Sequence, residues 1–261
     1  MYSEKGAEIS RAIFGNGEKN VQKLGKGVAR QFARGANGFN VTSCQFAIHY
    51  FFENKETFFQ FIQNVSECTK VGGYFIGTSY DGETLFNKLK RTPPGESIAI
   101  NSTNERKMWE ITKEYNETTF VAEDSCLGYK INVFQESINK TFHEYLVNYS
   151  YLTRILENYG FRLLSKSESK LLGFNEGTGM FHELYNAMST ESAHDRFKAA
   201  EYDSALNMTA NEKSISFLNR YFIYKKVSNE NAEKLTAMFL HKDPVETENE
   251  IHDSEEISEA V

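Results

Sequence analysis

The sequence contains few prolines and cysteines, only one tryptophan, and no long apolar run. Among its 261 residues, three are proline, three are cysteine and one is tryptophan. Three cysteines are too few for a disulfide scaffold and suit free thiols in a reducing compartment. No apolar run is long enough for a membrane-spanning helix, and the polar residues 1–8 do not resemble a secretory signal. We therefore expect an intracellular protein with no membrane partner.

The composition supports a folded core, and the charge is unevenly distributed. Hydrophobic residues make up 40% of the chain and aromatic residues 14%, which is enough for a sizeable core. Residues 229–261 carry ten acids and two lysines, a net charge of −8. Because the whole chain has a net charge of −7, the first 228 residues carry +1. We predict a domain over 1–227 and an acidic, disordered tail over 228–261. An autoinhibitory or partner-binding tail is the alternative.

The order of predicted elements indicates an α/β fold. Residues 39–46 have the pattern of a buried strand, and 53–70 have the apolar spacing of a helix. A second strand at 74–78 and a second helix at 83–91 follow. Strands that alternate with helices favour a parallel sheet. The strand-like runs within 98–147 predict antiparallel additions to this sheet or a small β-rich insertion.

Four side chains at the end of the first predicted strand form the candidate site. They are Gln45, Phe46, His49 and Tyr50. In open α/β sheets, ligands bind beyond the carboxyl ends of the strands. An amide, an imidazole and two aromatic rings suit a flat, hydrogen-bonding ligand such as a nucleobase. The structural alternative is that the aromatic rings pack on the following helix and that His49 caps a turn.

This stretch resembles a known family. The residues Ser43-Cys44-Gln45-Phe46, then His49-Tyr50, then Gly72-Gly73-Tyr74-Phe75-Ile76-Gly77-Thr78 resemble two motifs of the mRNA cap (guanine-N7) methyltransferases, at that family's spacing. The segment 22–28 is similar to versions found in large DNA viruses. The resemblance extends over about 1–227 and implies the sheet of a class I, Rossmann-like methyltransferase. It also implies an intracellular location, in the host cytoplasm or a viral factory, or in the virion.

The resemblance implies an activity and roles for the four residues. The family transfers a methyl group from S-adenosyl-L-methionine to N7 of the guanine at the capped 5′ end of mRNA. By similarity, Gln45 and Tyr50 would bind this cofactor, while His49 and Phe46 would contact the cap guanine. Because N7 is already nucleophilic, we expect positioning catalysis with no catalytic acid or base and no metal.

Two further cap-binding residues are implied by the same resemblance. Glu144, in Glu144-Tyr-Leu-Val147, matches a motif whose glutamate would accept hydrogen bonds from guanine. An exposed strand carboxylate is the alternative. Tyr221, on the last predicted strand, is the expected cap-side tyrosine, with a core tyrosine as the alternative. One position departs from the family, since Tyr80 stands where a proline is common.

The glycine-rich cofactor loop that the resemblance requires is not recognised in the sequence. Gly15-Asn-Gly17 and Gly25-Lys-Gly27 lie among lysines, with no buried strand before them. The resemblance therefore predicts the C-terminal part of a methyltransferase domain, partnered by its missing N-terminal half or by other capping-enzyme domains. The competing hypotheses are a non-catalytic cap- or RNA-binding regulatory subunit and an inactive remnant.

Overall fold

Two β-sheets organise the computed structural model, which describes residues 4–102 and 104–241. The larger sheet contains β1 (Phe39–Gln45), β2 (Thr69–Tyr80), β7 (Phe161–Leu163), β8 (Thr178–Met180) and β9 (Asn219–Lys226). The smaller sheet contains β3 (Ser97–Asn101), β4 (Lys107–Lys113), β5 (Lys130–Gln135) and β6 (Lys140–Tyr145). The helices are α1 Glu4–Phe14, α2 Val21–Ala29, α3 Lys55–Cys68, α4 Gly82–Lys88, α5 Tyr149–Asn158, α6 Lys166–Leu171, α7 Phe181–Ser192, α8 Arg196–Glu201, α9 Asp203–Leu206, α10 Ala210–Ser216 and α11 Ala232–Phe239.

The larger sheet is mixed, and β1 lies at its edge. Its strand order is β1-β2-β9-β7, and β8 also pairs with β9. β1 and β2 are parallel, whereas β9 runs antiparallel to β2, β7 and β8. Among the described residues, β1 pairs with β2 alone. The predicted strand–helix–strand unit and the α/β class are therefore confirmed.

Helix α3 connects β1 to β2, and its apolar residues form one face. Asn54 caps its N-terminus by accepting a hydrogen bond from the Thr57 amide at 2.9 Å. Phe58, Phe59 and Ile62 follow at helical spacing and are fully buried. They join a core that includes Phe75 of β2 and Phe222 of β9, so the helix lies against the sheet.

The smaller sheet is an antiparallel meander in the order β3-β4-β5-β6. Successive side chains of each strand point to opposite faces of this sheet. Trp109, Ile111 and Val133 are buried on its inner face. This inner face packs against Tyr80 and α4. The predicted β-rich insertion is thus a second sheet that lies over the end of the first.

Gly82, at the start of α4, brings the two sheets close together. Its amide donates a hydrogen bond to the Val147 carbonyl at 3.0 Å, just beyond β6. A Cβ atom at this position would overlap the Val147 backbone. The adjacent Asp81 caps α4 and accepts a hydrogen bond from Arg220 of β9 at 2.6 Å. Only glycine allows this approach, which fixes β6 relative to the larger sheet.

The prediction of a disordered tail from residue 228 is wrong for its first part. Helix α11 packs on α3, where the rings of Phe239 and Phe59 stack with centroids 4.7 Å apart. Thr236 and Tyr159 also share a hydrogen bond of 2.8 Å. The acidic composition of this segment gave no indication that one face of this helix is apolar. Residues 242–261, the rest of the predicted tail, lie outside the described residues.

The segment before β9 consists of short elements. Between residues 173 and 211 the structure places β8, α7, α8, α9 and the start of α10. α10 begins with a capping box in which Thr209 and Glu212 satisfy each other's backbone amides. None of the residues of α7 to α10 is fully buried. Side-chain caps begin α8 and α10, at Asp195 and Thr209, whereas α7 and α9 begin without one.

Candidate active site

A cavity of about 670 Å³ lies between the end of β1 and the inner face of the smaller sheet. Its walls include six residues that matter for the chemistry, namely Phe46, His49, Tyr50, Tyr80, Glu144 and Asn219. Its size falls in the range of pockets that enclose whole small-molecule ligands. The carboxyl ends of β1 and β2 thus face a concave surface that the second sheet completes.

His49 is buried in this wall without a hydrogen-bond partner. It lies in a short 3₁₀ turn, Ile48–Phe52, that follows β1, and only 5% of the residue is exposed. Neither Nδ1 nor Nε2 has a hydrogen-bond partner among the described residues. Burial lowers the pKa of His49 to about 4, so the imidazole is neutral at physiological pH. A neutral ring offers one donor and one acceptor to a ligand.

Glu144 faces His49 from the inner side of β6. It is 7% exposed, and its Oε2 is also without a hydrogen-bond partner in the described part of the chain. Burial raises the pKa of Glu144 to about 7. Oε2 lies 3.6 Å from Nδ1 of His49, which is within ion-pairing distance but too long for a hydrogen bond. Because burial disfavours both charges, we treat the two groups as unpaired rather than as a salt bridge.

Unpaired buried polar atoms indicate that the cavity is built for a polar ligand. An unsatisfied buried donor or acceptor costs about 1–3 kcal/mol. Such groups are uncommon in native structures unless a ligand or water satisfies them. Here His49 and Glu144, which are 95 positions apart in the chain, present their unpaired atoms to one cavity. The carboxylate found by motif is therefore buried, and the alternative of an exposed strand residue is wrong.

Phe46 and Tyr50 form the exposed part of the wall. The backbone of Phe46 has a φ of 49°, in the left-handed region that bulky residues seldom adopt. Its amide donates to the Thr78 carbonyl at 2.8 Å, and its ring meets Phe181 edge-on at 6.2 Å. The Tyr50 ring lies 4.3 Å from the His49 ring. Both predicted aromatic residues thus line the cavity.

Gln45 does not line the cavity. It is exposed at the end of β1, where its Oε1 accepts a hydrogen bond from Thr78 Oγ1 at 2.8 Å. Its Nε2 donates to Ser43 Oγ at 3.1 Å. The two predicted cofactor residues are therefore separated, with Tyr50 at the cavity and Gln45 beside its mouth, along the edge strand.

Tyr221 also lies away from the cavity. Its ring packs on Phe174, and its hydroxyl donates to the Glu176 carbonyl at 3.1 Å. Asn219, two residues earlier on β9, lines the cavity instead. Its Nδ2 donates to the Ser216 carbonyl at 2.9 Å, so its Oδ1 is turned away and has no partner among the described residues. The predicted strand therefore reaches this cavity through Asn219, and the cap-side role of Tyr221 stays a prediction.

Tyr80 and Trp109 belong to the wall but were not predicted to be site residues. The Tyr80 hydroxyl accepts hydrogen bonds from Trp109 Nε1 at 3.0 Å and from Gln135 Nε2 at 2.9 Å. These bonds link β2 to β4 and β5 across the cavity floor. The departure from the family at Tyr80 was the available signal. The pairing itself was not visible, because it depends on how the second sheet folds over the first.

Two negative findings concern the described ranges 4–102 and 104–241. Within them, no cluster of three or more His, Cys, Asp or Glu side chains could hold a metal ion. No helix in the same ranges is long and apolar enough to cross a membrane.

Comparison with known proteins identifies the family. Residues 8–227 match the family model described as the mRNA (guanine-N(7))-methyltransferase domain. Because the match covers most of the chain, the protein belongs to this family, as the motifs at 43–50 and 72–78 predicted.

Individual relatives agree with this assignment. Over 211 residues the chain is 29% identical to "Probable mRNA-capping enzyme" of Acanthamoeba polyphaga mimivirus, covering 74% of this chain and 17% of that protein. It is 26% identical over 136 residues to "mRNA cap guanine-N(7) methyltransferase" of Drosophila melanogaster, covering 49% of this chain and 28% of that protein. The chain thus spans less than a third of either relative.

A solved structure, the CcbJ methyltransferase from Streptomyces caelestis, has 8% sequence identity and a TM-score of 0.38, covering 74% of this chain and 59% of that chain. The methyltransferase fold is supported by the family match and by the strand order of this chain, and not by the similarity to that structure.

Proposed function

We propose that this chain acts in mRNA cap (guanine-N7) methylation, in which a methyl group passes from S-adenosyl-L-methionine to N7 of the cap guanine. One observation carries the proposal. His49 and Glu144 are buried, unpaired and 3.6 Å apart in a cavity at the carboxyl end of β1. The substrate is the capped 5′ end of mRNA.

Glu144 is proposed to recognise the guanine edge. Guanine presents two donors side by side, N1–H and the exocyclic amine, and one carboxylate can accept from both. Adenine has an acceptor at N1 and would face the carboxylate with a lone pair. A buried group that needs a partner rejects a ligand that cannot supply one. The burial of Glu144 therefore favours guanine over adenine.

His49, Phe46 and Tyr50 are proposed to hold the base in place. A neutral His49 adds one donor and one acceptor next to Glu144. The exposed ring faces of Phe46 and Tyr50 supply apolar contacts at the cavity mouth. Because N7 carries its own lone pair, none of these residues has to remove a proton. Their contribution is to orient the base and exclude water.

The described residues fit one part of a cofactor site. Gln45 and Tyr50 expose an amide and a phenol at the carboxyl end of β1, where ligands of such sheets bind. Gly15 and Gly17 lie between α1 and α2 rather than after a strand, and Gly177 leads into β8. S-adenosyl-L-methionine supplies an activated methyl group when bound, and we assign Gln45 and Tyr50 to its protein contacts.

The edge of β1 is proposed to pair with the remainder of a methyltransferase sheet. Phe39 and Val41 expose apolar side chains on this edge strand. A strand whose backbone groups are unpaired is a template for another strand. We therefore propose that residues 1–227 act as part of a cap methyltransferase domain. Its partners are the N-terminal methyltransferase half or other capping-enzyme domains, in an intracellular compartment such as a viral factory.

A second candidate is a non-catalytic cap-binding or regulatory subunit. The described residues supply several groups for guanine but only Gln45 and Tyr50 for the cofactor, which favours this alternative. Methyl transfer to a capped RNA by the chain, with and without a co-expressed N-terminal methyltransferase half, separates the two functions. Cap binding without methyl transfer in either preparation would support the subunit.

The test of guanine recognition uses the only tryptophan of the chain. Trp109 lines the cavity, so its fluorescence reports binding. We expect Glu144→Gln to weaken binding of GpppG by about 1–3 kcal/mol and to narrow the preference for guanosine over adenosine analogues. His143→Ala is the matched control, because this neighbouring side chain is exposed on the outer face of β6 and bonds to Asn132. Equal effects of both variants would overturn the assignment.

A further inference from the structure

The cavity extends beyond the residues proposed to read guanine. Its outer wall contains Phe142 of β6 and Ile138 of the turn between β5 and β6. These side chains remain exposed, Ile138 at 53% and Phe142 at 37%. A volume of about 670 Å³ leaves room beside a single base. An apolar shelf, consisting of Phe142 and Ile138, therefore adjoins the guanine-reading residues.

Phe142 lies on the same face of β6 as Glu144. Residues two apart on a strand point to the same side. The pairing register agrees, because Phe142 lies opposite Val133 and Glu144 opposite Ile131, and both partners are buried on the inner face. Phe142 is therefore held next to Glu144 by regular strand geometry, toward the hairpin turn.

The Phe142 ring is unused by the protein core. Within the described ranges it makes no ring–ring contact, whereas Phe86, Phe120 and Tyr129 in the segments next to this sheet meet one another. It also belongs to none of the three core clusters. A large apolar ring that neither packs in the core nor meets another ring is available to a ligand.

The spacing suits one additional base. A two-residue step along a strand advances about 6.6–6.8 Å. Stacked bases repeat every ~3.4 Å, so two stacking intervals span about the same distance. A guanine bound at Glu144 with its plane across the strand would therefore leave room for a single stacked base before the ring of Phe142. Apolar Ile138 closes this space from the turn.

We propose that Phe142, supported by Ile138, stacks on the base of the first transcribed nucleotide, the nucleoside joined to guanosine through the triphosphate of the cap. This inference rests on the proposed function, because it takes the guanine at Glu144 as its reference. The shelf makes the cavity selective for a cap with a second base over a lone guanosine triphosphate. It reads no base identity, since every base offers a π face.

The experiment compares GpppA with GTP, using Trp109 fluorescence and calorimetry on the full chain. In the wild type, GpppA should bind on the order of tenfold tighter than GTP, as expected for one stacked base. Phe142→Ala should abolish this preference while leaving GTP affinity unchanged. Phe142→Trp should restore it in the calorimetric assay, since an aromatic ring is again present.

The control is Phe134→Ala, on the outer face of the same sheet, where Lys107 lies over the ring. It should preserve the preference for GpppA. Phe142→Leu keeps apolar bulk without a π face, so a folded Leu variant that loses the preference supports stacking.

The outcomes separate the two proposals. An unchanged ratio of GpppA to GTP affinity in Phe142→Ala, with Glu144→Gln still weakening both ligands, overturns the stacking shelf alone. Equal loss of both ligands in Phe142→Ala also overturns it, because Phe142 would then contact the guanine. Failure of the wild type to bind either ligand overturns the proposed function and this inference together.

Discussion

The proposed guanine side of the site is enclosed, whereas the proposed cofactor side lies at an exposed strand end. His49 and Glu144 are brought together from two sheets and are almost fully buried. Gln45, in contrast, is exposed on β1, a strand that pairs on one side only among the described residues. The difference suggests that base recognition is built within this chain, while cofactor binding depends on what pairs with β1.

The largest expected effect concerns the buried carboxylate. The pKa of Glu144 is raised from 4.5 to about 7, so the folded state holds a proton that the unfolded state has lost between these values. Stability therefore falls as pH rises through this window, and the full cost is present above pH 7. Glu144→Gln removes the ionisation and should stabilise the empty protein at pH 8 by about 3 kcal/mol. Urea unfolding measures the difference.

A comparison of pH 8 with pH 4 is the control for this prediction, because the neighbouring His49 titrates over an overlapping range. The pKa of His49 is lowered from 6.5 to about 4, so its contribution to stability is present above pH 6.5 and is lost as pH falls toward 4. The two contributions oppose each other between pH 4.5 and 6.5. Glu144→Gln should therefore be most stabilising at pH 8 and close to neutral at pH 4. A gain of equal size at both pH values would argue against a buried, titrating Glu144.

A smaller effect is expected in the pH dependence of binding. The guanine edge requires an ionised carboxylate, and Glu144 has a pKa of about 7 in the empty protein. Affinity for GpppG should then decrease as the pH falls below 7, approaching a loss of about tenfold per pH unit. Above pH 7 it should level off. Calorimetry between pH 5.5 and 8.5 measures this profile. The profile of Glu144→Gln should be flat, and a persisting slope would assign the titration to another group.

The smallest effect should come from the exposed side. Gln45→Ala removes hydrogen bonds to Thr78 and Ser43 at a solvated strand end, so stability should change by less than about 0.5 kcal/mol. Guanine binding should be unchanged, since Gln45 does not line the cavity. Isolated S-adenosyl-L-methionine should bind wild type and variant weakly. Calorimetric binding at about −8 kcal/mol, a micromolar Kd, would show that the cofactor side is complete.

The sequence predicted local elements well and distant packing poorly. Residues 39–78 form the expected strand, helix and strand, because their periodicity and caps all favour the same elements. Glu144 was found by motif, but its burial opposite His49 depends on the second sheet closing over the first. No local pattern specifies that closure.

Two places where the structure differs from the sequence-based expectation have separate physical causes. Tyr221 and Asn219 share a face of β9, so alternation alone could not show which of them reaches the cavity. The wall ends near Asn219, where β9 lies opposite the end of β2. Helix α11 was missed because acidic composition was given more weight than the apolar face that packs on α3.

The left-handed backbone of Phe46 has a consequence for selection experiments. A bulky residue at a φ of 49° costs on the order of 1–2 kcal/mol relative to one that tolerates this region. Glycine or asparagine would relax that strain but would remove the exposed ring at the cavity mouth. A library at position 46 screened only for heat resistance should therefore drift toward Gly or Asn, whereas one screened for cap affinity should retain aromatic residues. At this position, the substitutions that increase stability are therefore the ones that remove the proposed contact with the cap.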